Sequence, residues 1–198
     1  MKKFLLLILS GVLLTACGGG AGTGPAGTTP AGPGKLSMDF KTLNTKTDVK
    51  KDLEIKKGVV TPVSITLDGK PIVRYFIDLT DFDYDANAAA KPADDKQTAV
   101  EITLFGDSGD TVETPLKAKT FELSSSGGKV DDKYGRVSNV LVKTFKDGKV
   151  EETSLTYNAK GTVKIVSATA ETVTGEIDLT QDGGGRIKGS FTAQLKKK

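Results

Sequence analysis

From residue 35 onward the chain alternates between apolar and polar positions with a period of two. The signal is clearest at the end: Val173, Gly175, Ile177 and Leu179 alternate with Thr174, Glu176 and Asp178. Ile187, Gly189, Phe191, Ala193 and Leu195 then alternate with Lys188, Ser190, Thr192 and Gln194. This is the mark of strands with one face in a core and the other in water. The segment 181–185 (QDGGG) between them supplies a turn with room for positive φ, and 161–168 (GTVKIVSA) predicts the preceding strand. Upstream, 137–145 and 150–157 flank Lys146-Asp147-Gly148-Lys149, a hairpin signal because Asp-Gly suits a tight primed turn, and 65–67 and 72–79 flank Asp68-Gly69-Lys70-Pro71, a second candidate hairpin. Further strands are predicted over 100–105 and 116–123, with weaker ones over 38–43 and 59–63. Residues 47–57 are expected to form a short helix or a solvated loop, and 87–96 to add a helical turn. Nine or ten short strands joined by local turns predict an all-β fold, an antiparallel β-sandwich or barrel ending in a meander, with at most one short helix.

The first 34 residues follow a different pattern. Lys2 and Lys3 precede eleven residues dominated by apolar side chains, 4–14 (FLLLILSGVLL), too short to span a membrane but of the length of a secretory signal core. Leu14-Thr15-Ala16-Cys17 follows, and Cys17 is the one cysteine in the chain. This order of charge, apolar run, small residues and Cys resembles the lipobox of bacterial lipoprotein precursors. The resemblance covers residues 1–17. It implies a signal peptide over 1–16, acylation of Cys17, and a lipid-anchored protein of the cell envelope. Two or three acyl chains, at about 0.8 kcal/mol per buried CH₂, hold such a protein durably on a membrane. Gly18, where the family uses Asp for inner-membrane retention, implies the outer membrane in an organism that has one.

Residues 18–34 (GGGAGTGPAGTTPAGPG) carry eight Gly and three Pro with no charge, and are expected to form, with Cys17, a disordered tether over 17–34. Residues 35–198 are then one β-rich domain. Their C-terminal pattern (GTVKI, VTGEIDL, IKGSFTAQL) is similar to the endings of small bacterial β-rich lipoproteins, which carries a fold class and no functional residue.

Composition removes several chemistries. The chain has no histidine, no tryptophan and a single cysteine, which excludes His-ligated metals, Cys/His zinc sites, Ser-His-Asp and Cys-His catalysis and an internal disulfide. With 28 basic against 25 acidic residues it lacks the excess of a nucleic-acid binder. Asp81, Asp83 and Asp85, next to Asp78, are the metal candidates, since alternate carboxylates offer a hard cation oxygen ligands. Ala86 and Pro92 stand where an EF-hand starting at Asp81 needs Gly and Glu, so the expectation is a solvated strand end and no metal. The Gly-rich segments 124–128 and 182–185 are candidate anion cradles that do not open a helix, and are assigned to turns. Ser126 and Lys129 match Ser-x-x-Lys only across two glycines, and the 25 acidic residues single out no glycosidase pair. Tyr75, Tyr84, Tyr134 and Tyr157 are candidate binding aromatics that packing explains more simply. The expected function is therefore a non-catalytic binding or structural domain at the envelope, needing no cofactor. The alternative is a lipocalin-like barrel carrying a small hydrophobic ligand in its interior.

Overall fold

The computed structural model describes residues 32–41, 48–124, 134–156 and 158–196. Cys17 and most of the tether lie outside them, as do Tyr157, Ser126 and Lys129.

The fold is all-β, with eleven strands and no helix among the described residues. They are β1 (Gly34–Lys41), β2 (Asp48–Glu54), β3 (Lys57–Leu67), β4 (Lys70–Thr80), β5 (Thr98–Phe105) and β6 (Lys119–Ser124), then β7 (Val137–Lys146), β8 (Lys149–Ser154), β9 (Ala159–Ala168), β10 (Thr172–Gln181) and β11 (Arg186–Leu195). All belong to one open sheet, in the order β6-β9-β10-β11-β3-β4-β5-β7-β8. β1 pairs with both β11 and β2 off this path. Pairing is antiparallel except where Gln194 and Leu195 of β11 meet Val59 and Val60 of β3 in parallel. The sheet curls, so that Glu122 of β6 at one end forms an isolated bridge with Arg136, just before β7.

Both predicted hairpins are present. Asp68-Gly69 and Asp147-Gly148 hold positive φ at both positions (49° and 75°, 50° and 78°), as a two-residue primed turn requires. The expected C-terminal meander is β9-β10-β11. Two local expectations are corrected. The described part of the segment predicted over 47–57, from Asp48 on, contains neither helix nor solvated loop but strand β2, paired along β1 from Lys41↔Asp48 to Lys35↔Glu54. Its alternation was hidden because Lys51 occupies an inward-phase position beside Val49 and Leu53. Residues 87–96 make turns, not a helical turn.

The inward faces of all the strands except β8 meet in one core. Phe40, Phe121 and Phe191 are at most 2% exposed, and aliphatic side chains from β1 to β11 close around them. Glycine is needed where this packing is tightest. A Cβ on Gly175 would strike the ring of Phe191, and one on Gly189 would strike the backbone of Lys35 and Leu36, where β1 crosses β11. A smaller cluster of Phe82, Ala90 and Ala99, with Tyr84 against it, sits on the outer side of β5. There the connection 81–97 folds back over the sheet.

Candidate functional site

Pairing registers place the outward side chains in rows across six strands. One row runs Thr120, Lys164, Glu176, Ser190, Lys35 and Glu54 over β6, β9, β10, β11, β1 and β2. The next runs Glu122, Thr162, Asp178, Lys188, Ser37 and Asp52. Between these rows lies a cleft of about 690 Å³ on the outer face. Its floor is low because Ser37, Ser190 and Thr162 are short; lysines and carboxylates rise around it.

Cross-strand opposition fixes the charges there. Lys188 Nζ lies 3.0 Å from Asp178 Oδ2, and Arg186 Nη2 reaches both Asp178 oxygens at 3.1 Å. Lys35 Nζ lies 3.0 Å from Asp52 Oδ2. Burial alone would raise the Asp178 carboxyl, but hydrogen bonds from Lys188 and Arg186 outweigh it and hold the group below its ordinary value. Hydrogen bonds from Lys35 and Ser37 lower Asp52 in the same way. Lys164 and Glu176 face each other across β9 and β10 at the centre of the cleft without an ion pair between them. The cleft contains no aromatic side chain.

The opposite part of the outer face carries a second group of charges, drawn toward the interior. Asp78 of β4, Glu101 of β5 and Lys143 of β7 are outward in phase but screened from water. Lys143 Nζ donates to Glu101 Oε2 at 2.7 Å, and Glu152 of β8 stands at 4.0 Å. Asp78, opposite Glu101, is pushed up to about 6 by burial first and by the Glu101 charge second, with Lys143 opposing. Tyr84 from the covering connection is raised by burial and by the Asp78 charge, and its hydroxyl is buried without a hydrogen-bond partner. Lys57 Nζ lies 5.0 Å from the Tyr84 ring centre and donates to the Tyr84 carbonyl.

The acidic candidates are not brought together as a metal site. Asp81 receives Lys51 Nζ at 2.7 Å and the Thr98 N–H at 2.8 Å. The same lysine also donates to the Lys96 carbonyl at 2.8 Å and to Thr98 Oγ1 at 2.9 Å, clamping both ends of the 81–97 connection to β2. Asp83 is exposed, and Asp85 accepts from the Asn87 N–H at 2.9 Å in an Asx turn. Among the described residues no three acidic or cysteine side chains are grouped to hold a metal ion. The 182–185 segment closes on itself, with the Gln181 N–H donating to the Gly185 carbonyl and the Gly184 N–H to Gln181. Tyr75 lies in the core, raised to about 12 by burial and by Asp110 and Asp107; Tyr134 is half-buried.

Sequence reasoning missed Lys143 and Lys51, because a lysine at an alternating position looks solvated. The signal for Lys143 was the apolar run Val140-Leu141-Val142 before it, too continuous for a strand wet on one face. The cleft had no sequence signal, since it is assembled from six strands by register. No protein-family model, curated protein or solved structure matches the chain.

Proposed function

We propose that the chain is a lipid-anchored protein of the cell envelope, attached through Cys17, whose β domain binds a polar ligand in the outer cleft without transforming it. The observation that carries the binding part is the contrast between inside and outside. Inward side chains are almost fully shielded from solvent, whereas the large cleft lies on the outer face. A carrier of a hydrophobic molecule needs that relation reversed. Neither Asp52 nor Asp178 can serve as a proton donor near neutrality, because their cations hold both ionised. Alternating charges and short hydroxyl side chains suit a hydrophilic ligand such as an envelope glycan or its peptide-bearing fragments.

Two measurements on the full chain test this reading. Metabolic labelling with an alkyne-tagged palmitate should mark the wild type and not Cys17→Ser, and only the wild type should partition with membranes. Soluble peptidoglycan fragments should then bind saturably, and Ser190→Tyr, which fills the cleft floor, should abolish that binding. Saturable uptake of a dansylated fatty acid with no fragment binding would overturn it in favour of an interior carrier.

A further inference from the structure

The chain has three arginines, at positions 74, 136 and 186. Arg186 commits its planar fork to Asp178. The other two, 62 positions apart in sequence, converge on a single ring. The guanidinium carbon of Arg74, on β4, lies 5.2 Å from the centre of Phe105 and 5.7 Å from that of Phe76. That of Arg136, at the bridge before β7, lies 5.2 Å from the same Phe105 ring. Register explains the meeting: Arg74 is the cross-strand partner of Phe105, and the Phe105 N–H donates to the Arg136 carbonyl.

Neither guanidinium has an ion-pair partner among the described residues, and the Nε atom of each is buried with no hydrogen-bond partner. The acids just after Phe105 in the chain, and the one opposite Arg136, do not pair with them. Asp107 holds Lys119 at 2.6 Å, and Asp110 accepts from the Asp107 N–H at 2.9 Å. Glu122, bridged to Arg136 through the backbone, is exposed and forms no ion pair with it. Stacking on an aromatic face offsets only part of the cost of leaving a guanidinium donor unmet. A doubly charged oxyanion with several acceptor oxygens suits the outer nitrogens of a guanidinium fork. Beside them, Val63 is the cross-strand neighbour of Arg74 and, at 37% exposure, the one exposed large hydrophobic side chain among the described residues.

We propose that Arg74 and Arg136, stacked on Phe105, form a binding site for a phosphate group, free or as a phosphomonoester. The site lies on a different part of the sheet from the polar cleft and does not depend on the reading of that cleft.

Three arginines make the test direct. In ¹⁵N-labelled full chain held in maltoside micelles, each Nε–H gives its own signal, and Arg186 is an internal reference. Titration with inorganic phosphate should move the Arg74 and Arg136 signals saturably and leave that of Arg186 in place. Short-chain phosphatidic acid, titrated separately, distinguishes the sources. Tighter binding than phosphate assigns the site to a lipid headgroup with Val63 against its apolar body; equal or weaker binding assigns it to free phosphate. Arg74→Lys and Arg136→Lys keep the charge but lose the fork, and each should weaken binding by about tenfold. No movement at either signal, or equal movement at all three, would overturn the proposal, and because it is read in the wild type this outcome does not depend on the variants folding.

Discussion

Two lysine–carboxylate pairs on the same sheet show how differently one motif behaves. Lys143 and Glu101 approach to 2.7 Å with side chains 10% and 19% exposed, beside the 81–97 connection. Lys188 and Asp178 approach to 3.0 Å with side chains 59% and 43% exposed, facing the open cleft. Both are outward pairs produced by period-two patterning. Around the first, burial raises Asp78, so the charges there are tied to the stability of the fold. Around the second, solvent screens the charges, the carboxylate stays ionised, and the groups stand open to water. Distance alone does not distinguish the two; what covers them does.

The core under both regions sets the scale. Phe191→Ala should cost about 3–5 kcal/mol, because its ring fills the space Gly175 leaves. Thr192→Ala, on the opposite face, should cost well under about 1 kcal/mol. Paired denaturant titrations check this, and equal effects would mean that the strand phase is wrong. Next in size, Lys143→Gln should cost about 3 kcal/mol, since it leaves Glu101 and Asp78 facing each other without their cation. The same measurement on Lys188→Gln, the smallest effect expected, should show less than about 1 kcal/mol.

Between them lies Asp78→Asn, with the opposite sign. The folded carboxyl, pushed up to about 6 against an unfolded value of 3.8, binds its proton more tightly than the unfolded chain does. Its favourable contribution is therefore complete below the unfolded value and is lost as pH rises through about 6. At pH 7 the ionised group opposes folding, so Asp78→Asn should stabilise the protein by about 1–2 kcal/mol after allowance for partial exposure. Its advantage should vanish below about pH 4, which unfolding curves across that range would read.

The same division explains what could be read from sequence. β9, β10 and β11 and both Asp-Gly hairpins were legible because each is a local pattern: alternation between turn residues of known φ. β2 was not, because Lys51 broke its apolar phase to reach Asp81, Lys96 and Thr98, all distant in sequence. The acids at 81, 83 and 85 looked like a ligand set only while Lys51 was missing from the picture. Cross-strand neighbours such as Lys164 and Glu176, or Arg74 and Phe105, exist only once register is fixed. A candidate site built wholly from register was therefore beyond sequence reasoning, whereas the anchor expectation rests on residues 1–17, which lie outside the described structure.

Burial beneath the 81–97 connection, not ion pairing as such, separates the two charged regions. Carboxyl ¹³C shifts of Asp78 and Asp178, followed in one sample from pH 2 to pH 8, test it most directly. Asp78 should titrate near 6 and Asp178 below the ordinary value for an aspartate. Coincident titration of the two near the ordinary value would contradict it.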